Sequence, residues 1–444
     1  MSNGIQNVSD LQIGLIGMGE DPNSISDVPN IQVLKDGHQV SRISDFIIYS
    51  VEAEFISQVV SLYGPSTKPQ AIVAGQTSVK APEKEAFEKY LPDDVYIVSV
   101  HSLHGPTVTT EGQPLLRMRK VRVVERILES FKSRYVYLTY EEHDLVTANT
   151  QAVTHAAFLS MGTAWKNSQD YPWETERYVG GIEIVKINIA LRIYSNKWHV
   201  YAGLAILNPS AREQIRMYAQ CATDIFKLMI EEKKDTLRQR MYEAREGVFG
   251  WTRQQEGDAE TRASKQRKPI LLSDRILDQF SLGHKPARGE RVGPNSHLSL
   301  LAMVDCWHKL GIKPYDHLDV AGTPVFMLWI GVAEYLFRST ERLEMAIDSA
   351  IGDKTHRSDD TEFVVAARGW SQCVSFGSFD LYRNRFEETA SFFAPRFQEA
   401  TVVGGKMIKT ILDESAQAKA AAEAQAALQV ADAASSAASD KTSV

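Results

Sequence analysis

The chain reads as a doubly wound α/β domain followed by a mainly α-helical one. Three observations carry that expectation. From Ile13 to about Leu138, short and nearly continuous apolar runs alternate with helical stretches. The first of these runs, Ile13 to Ile16, passes straight into a glycine turn, Gly17-Met18-Gly19. After Tyr140 strand signals fade, and long stretches with apolar residues at helical spacing take over.

The strands are expected at Ile13–Ile16, Asp45–Val51, Gln70–Ala74, Val95–Val100 and Tyr135–Leu138. Apolar runs without alternation, separated by helices, suggest a parallel sheet covered on both faces, and so a nucleotide-binding domain of the Rossmann type. Glu142–Trp165 is expected to be one long helix and Arg212–Phe249 a second long helical region. Gly250–Gly293 is polar, interrupted by the apolar Pro269–Leu282, and reads as a loop with one short helix. Helices resume at His297–Leu310, Val325–Phe337 and Leu343–Ile351. Beyond Ser415 the chain is Ala-rich and then Ser- and Asp-rich, with no apolar face wide enough to dock firmly. The expected domains are therefore 1–139, nucleotide-binding; 140–414, helical, for substrate binding and dimerisation; and 415–444, a flexible tail.

Composition narrows the class. The 444 residues are 43% hydrophobic and 24% charged, which suits a soluble globular protein of two or three domains. A net charge of -7 argues against a nucleic-acid partner, which asks for a basic face. The basic runs Arg117–Arg126 and Arg262–Lys268 are short and read as a solvated helix and a solvated loop. Cys221, Cys306 and Cys373 are far apart and show neither metal-ligand spacing nor a disulfide framework. The most apolar run, Thr323–Phe337, contains Glu334 and is too short to span a bilayer. A cytoplasmic protein with no metal site and no membrane partner is expected.

The opening motif is incomplete. A Gly-x-Gly-x-x-Gly fingerprint needs a third small residue so that the following helix can pack close. Here the third position is Pro22, and Glu20–Asn30 is rich in turn and breaker residues. Ile31–Leu34 would serve as a second strand, with Asp36 as its ribose acid, only if a helix connected it to the turn. A complete crossover takes about thirty residues. The first helix and second strand of the unit are therefore expected to be missing. Farther on, Leu116-Arg-Met-Arg-Lys-Val-Arg122 reads poorly as a buried strand.

Chemistry-bearing residues gather where strands end. Val95–Val100 runs into His101-Ser-Leu-His104-Gly105-Pro106, and a histidine at the carboxyl end of a parallel strand is placed to accept a proton near neutral pH. Equally, it is a polar loop residue that caps the strand. Gly75-Gln76-Thr77-Ser78-Val79-Lys80 follows another strand; Ser78 is either a ligand donor or a helix N-cap. Gln151 and His155 share one face of the long helix and need partners, from the protein or from a ligand. Arg192 lies among apolar residues and must pair with a carboxylate, of the protein or of a substrate. Gly14, Gly17, Met18 and Gly19 around the first turn, with Val51 at the end of the second expected strand, are the candidate cofactor contacts.

Several long stretches, taken together, resemble the fungal prephenate dehydrogenase family of tyrosine biosynthesis. They are HSLHGP, EEHDLVTANTQAVTHAAFLSMG, LRIYSNKWHVYAGLAILNPSA and PNSHLSLLA, and the likeness runs from about Gly14 to about Leu412. The resemblance implies oxidative decarboxylation of prephenate to 4-hydroxyphenylpyruvate, with NADP (NAD as the option) taking the hydride, in a homodimer. It implies that His101 bonds the substrate's 4-hydroxyl and takes its proton, and that Ser78 lies near the nicotinamide and that hydroxyl. Arg192 would clamp a substrate carboxylate, with Gln151 and His155 lining the pocket. Two rivals remain in view: a truncated or mis-spliced chain that keeps only dimerisation and substrate binding, and an arogenate or hydroxyacid dehydrogenase of the same domain order.

Overall fold

The computed structural model describes residues 10–17, 28–103, 109–118, 122–174, 181–251, 278–280, 282, 295–321, 324–355, 357–410 and 413. Met18 and Gly19, the breaker-rich stretch through Asp27, His104, most of the 250–293 segment and the alanine-rich tail lie outside them.

The N-terminal half holds two small sheets. Strands β1 (Ile13–Ile16), β2 (Phe46–Tyr49), β3 (Ile72–Gly75) and β4 (Tyr96–Ile97) run parallel in that spatial order. Strands β5 (Val100–His101), β6 (Pro114–Arg117) and β7 (Arg134–Tyr137) form the second sheet, in which β5 and β6 are antiparallel. The expected single strand Val95–Val100 is therefore split between the two sheets, and the expectation of a wholly parallel sheet is corrected to a parallel sheet beside a mixed one. Helices α1 (Gly37–Ile43), α2 (Ile56–Tyr63), α3 (Ala81–Tyr90) and α4 (Arg122–Ile127) alternate with the strands.

Strand β1 lies at the end of its sheet and pairs only with β2. One face of it packs: Ile16 is buried, and a Cβ added at Gly14 would lie 2.3 Å from Ser44 Oγ and 2.5 Å from Val40, so only glycine lets α1 come this close. The other face is open, with Ile13 51% and Leu15 40% exposed. Among the described residues no strand pairs on the far side of β1. Residues 31–34 form no strand, and Asp36 is the N-cap of α1, its carboxylate accepting the Gln39 N–H at 3.0 Å.

Strand β6 corrects a second expectation. All four of its residues are buried, including Arg117, which is fully inaccessible to solvent. Its guanidinium lies 5.2 and 5.5 Å from the ring centroids of Tyr135 and Tyr137 on the paired strand, and 3.4 Å from the Glu125 carboxylate. A planar cation stacked on aromatic faces and paired with a carboxylate can be buried where a bare charge cannot. Arg117 is thus not part of a solvated helix.

The second half is helical. Helix α5 (Tyr140–Thr147) starts from a capping box, Thr139 with Glu142, and continues through a π-helical turn, Ala148–Ala152, into α6 (Val153–Ser168). Then come α7 (Ile182–Tyr194), α8 (His199–Leu207), α9 (Pro209–Ile230) and α10 (Lys234–Phe249). The expected Arg212–Phe249 region is two helices, broken at Glu232, whose φ is +53°. After these lie α11 (Leu298–Lys309), α12 (Leu318–Ala321), α13 (Pro324–Arg338), α14 (Thr340–Gly352), α15 (Arg357–Ser375) and α16 (Phe379–Phe393). A single large apolar core runs through them, with α6 and α9 packed on α15 and α9 also on α11. No described helix is long and apolar enough to cross a membrane.

Replacing Arg117 by alanine removes the stacked cation and leaves a void beneath two tyrosines. A loss of about 3 kcal/mol in urea denaturation is expected, and a smaller loss for Arg117→Met, which keeps the apolar stem. A change under about 0.5 kcal/mol, the size usual for a surface substitution, would show that the stack contributes nothing.

Candidate active site

The loops after β2, β3 and β5 open on the same side, toward α5 and α8 of the helical half. The loop after β3 is held by a buried ion pair. Lys80 and Glu83 both have side chains with no solvent exposure, and the ammonium lies 3.0 Å from the Glu83 carboxylate. Lys80 Nζ also donates to Gly75 O at 3.1 Å and to Val100 O at 2.9 Å, fastening the end of β3 to β5. Glu83 accepts the Thr77 N–H at 3.1 Å. It fits only because residue 75 has no side chain: a Cβ there would lie 2.1 Å from the Glu83 carboxylate. Ser78, half-buried, sits at the tip of this fastened loop.

Ser78 does not cap the following helix. The α3 N-terminus is capped from the other half of the molecule: Asp144 on α5 accepts the Lys80 N–H at 2.7 Å and the Ala81 N–H at 2.8 Å. A carboxylate suits the positive end of a helix and satisfies two otherwise orphaned donors. Burial pushes the Asp144 carboxyl pKa up, while the two amide donors and Lys80 oppose the shift. Asn208, fully buried at the start of α9, donates to the Asp144 backbone carbonyl at 2.8 Å.

His101, at the end of β5, meets α5 directly. Its Nδ1 is 2.8 Å from Nε2 of His143, and Nδ1 of His143 is 2.9 Å from the Asp144 carboxylate. His143 is fully buried, and burial, reinforced by the Lys80 charge, lowers its pKa well below the usual histidine value. His101 is half-buried. The two halves touch again at Lys84 and Glu141, 2.8 Å apart, and at Gly203, where a Cβ would meet Ala53 Cβ at 3.1 Å.

Gly17 turns with φ +100°, and a Cβ there would lie 2.3 Å from Ser50 O and 2.5 Å from Val51 Cγ1. The ends of β1 and β2 therefore meet backbone to backbone, with Val51 beside the turn. Gly14 is set apart from this crevice, against α1. Gln151 is half-buried in the π-helical turn, the kind of helix irregularity often found at functional sites. In the same turn Asn149 bridges Gln214, at 2.7 Å, and His317, at 3.2 Å. Arg192 is half-buried in the last turn of α7, where its carbonyl is bonded by Asn196, which also bonds the Tyr201 hydroxyl at 2.9 Å. Among the described residues no carboxylate pairs with the Arg192 guanidinium.

His155 is placed differently. It is buried within the helical core, edge-on to the rings of Tyr201 and Trp329, each 4.8 Å away between centroids. Burial depresses its pKa to about 3. Sequence reasoning does not single out His143, Asp144 or Lys80. The adjacent His-Asp pair is visible in the sequence, but nothing in local spacing ties it to a histidine on a strand of the other half. Among the described residues no cluster of three or more His, Cys, Asp or Glu side chains could hold a metal ion.

A strand-end crevice with a histidine pinned across to a helical domain defines a class of two-domain enzyme, and comparison with known proteins makes it specific. Residues 152–413 match the family whose description is a "6-phosphogluconate dehydrogenase C-terminal domain". The chain is 52% identical over 402 residues to "Prephenate dehydrogenase [NADP(+)]" of Saccharomyces cerevisiae, covering 88% of this chain and 86% of that one. It is 52% identical over 387 residues to "Probable prephenate dehydrogenase [NADP(+)]" of Schizosaccharomyces pombe, covering 86% and 87%. The solved prephenate dehydrogenase of A. aeolicus with hydroxyphenyl propionate and NAD+ matches 46% of this chain and 74% of its own at 15% identity, with a TM-score of 0.36. This chain belongs to the prephenate dehydrogenase family.

The packing of the site can be tested at two positions. Glu83→Ala leaves the Lys80 ammonium buried without its carboxylate and is expected to cost about 3–5 kcal/mol in urea denaturation; a cost below about 1 kcal/mol would mean the pair is dispensable. His155 titrates near 6.5 when unfolded and near 3 when folded, so the unfolded chain binds more protons between those values. Its contribution to stability is present above about pH 6.5 and is lost as the pH falls toward 3. In a series of urea midpoints from pH 7 to pH 4, His155→Gln should show a flatter acid limb than the native chain. Parallel limbs would remove His155 from the account.

Proposed function

We propose that the chain catalyses the oxidative decarboxylation of prephenate to 4-hydroxyphenylpyruvate, with NADP+ as hydride acceptor and NAD+ as the second option. The observation that carries this is His101, positioned at the end of β5 by a contact from the helical half, in a chain 52% identical to two proteins named as NADP(+) prephenate dehydrogenases. The rival reading, of a chain reduced to dimerisation and substrate binding, draws no support from these relatives.

The strand ends fit a dinucleotide. Parallel β1, β2 and β3 end together, and at Gly17 the turn comes so close to β2 that no side chain could fit there. Gly17 and Val51 would border the cofactor, with Met18 and Gly19 beside them. When bound, NADP+ supplies the two-electron acceptor at the ring carbon that bears the hydroxyl. The protein's part is to handle the rest of the substrate. As that carbon loses hydride, its hydroxyl gives its proton to His101. As the ring carboxyl leaves as carbon dioxide, its bonding electrons enter the ring and reach the same oxygen, which takes the proton back. The ring is then aromatic and no net proton has been released. Ser78, at the tip of the fastened loop, would hold the hydroxyl. Arg192, with no protein carboxylate of its own among the described residues, would clamp a substrate carboxylate, a task suited to its planar fork. Gln151 and His155 would line the pocket, His155 from within the aromatic core.

We further propose the division at 139/140 and 414/415, a homodimer built on the helical half, and a cytoplasmic location, which suits three free and buried cysteines.

The test is prephenate-dependent reduction of NADP+ by the purified chain, with NAD+ in parallel. Turnover with NADP+ is expected, and no turnover with either cofactor sinks the proposal. His101→Asn should lower kcat by about 10²–10⁴-fold, and Arg192→Leu should act mainly by raising KM for prephenate, by about tenfold or more. Light scattering of the same preparation reads the oligomeric state.

A further inference from the structure

The hydrogen bonds behind His101 have a direction, and it can be worked out from one end. Both oxygens of Asp144 already accept backbone N–H groups, from Lys80 and Ala81. Asp144 is therefore an acceptor, and the proton in its 2.9 Å contact with His143 must sit on His143 Nδ1. His143 is fully buried beside the Lys80 ammonium, which favours the neutral ring. A neutral ring with its proton on Nδ1 carries its lone pair on Nε2. Nε2 is the atom 2.8 Å from His101 Nδ1, so His101 must donate there. The hydrogen on His101 is thereby fixed to Nδ1, and its lone pair falls on Nε2.

We infer that His143 and Asp144 are positioning residues that hold His101 in the Nδ1–H tautomer, so that Nε2 is the nitrogen able to take the substrate's hydroxyl proton. The inference rests on the proposed role of His101 as proton acceptor and deepens it. In a free neutral imidazole either nitrogen can carry the proton, and the partner of one nitrogen decides the state of the other. The chain starts at the cap of α3, so the tautomer of the base depends on a helix N-terminus in the loop that carries Ser78. The arrangement is not a proton wire. Once His101 is charged it still donates from Nδ1 to His143 Nε2, while burial and Lys80 keep a second proton off His143. The proton stays on His101, available to return to the product's oxygen.

The experiment is 15N NMR of the full chain labelled at histidine, with the His101 signals assigned by comparison with His101→Asn. The expected result is a pyridine-type resonance at His101 Nε2 and a pyrrole-type resonance at Nδ1 in the native protein. The reverse assignment, or an even mixture of tautomers, overturns the inference, and this reading needs neither a variant at 143 nor any activity. Two variants then connect the tautomer to turnover. His143→Leu removes the acceptor; it should mix the His101 tautomers and lower kcat by about 10²-fold, with KM for prephenate little changed. His143→Gln can present an amide oxygen near the Nε2 position and should restore the Nδ1–H tautomer and most of kcat. Mixed tautomers in His143→Leu with native kcat would overturn the positioning role. Full activity in His101→Asn would instead defeat the proton-acceptor reading, which the native NMR assignment does not depend on.

Discussion

The Asp144 carboxylate accepts from two backbone amides of the α/β half and from the imidazole beside it on α5. Most of the site's geometry depends on that group. It closes the N-terminus of α3, which sets where the Ser78 loop ends. It joins the two halves at the place where His101 emerges from its strand. It also orients His143, which in turn contacts His101. A buried carboxylate is tolerated only when its lone pairs are filled, so the three donors and the acid require one another, and the junction between halves is specified by chemistry rather than by apolar contact alone.

Around it the structure relies on buried charges that are each matched. Lys80 and Glu83 share no contact with solvent, yet between them they bind the ends of β3 and β5 and the Thr77 amide. Arg117 is enclosed by two tyrosine rings and Glu125. In the helical half Glu183 is held down to about 2 by Lys186 and His297 against the opposing effect of its burial. Each pairing gives up apolar packing at that position in return for a fixed geometry, and in the first case that geometry belongs to the site.

Strand β1 shows the opposite economy. Gly14 and Gly17 let α1 and the end of β2 approach without side chains, and Ile16 is buried, but Ile13 and Leu15 face outward. The half of the sheet that carries the histidine and the Ser78 loop is enclosed, and the edge nearest the glycine turn is bare. Substrate chemistry and cofactor contact are thus supported by parts of the fold with very different amounts of burial.

The alternation of apolar runs and helices determined the α/β half, and helical periodicity after Tyr140 determined the other, because burial on two faces and burial on one stripe leave different spacings in a chain. The shortened crossover after Gly19 was equally legible, since prolines and turn residues leave no room for a helix. His101, Ser78 and Arg192 could be singled out by their position after strands or among apolar neighbours, and the family by long ordered motifs. What the sequence could not decide was pairing at a distance. Arg117 looked too polar for a buried strand because the tyrosines that enclose it come some twenty residues later, on β7. His143 and Asp144 looked like ordinary polar residues near a helix start, because the groups they bond belong to β5 and to the first turn of α3. Periodicity records which face of an element is buried. Which charge meets which is settled only when separate elements are brought within about 3 Å, and tertiary structure alone does that.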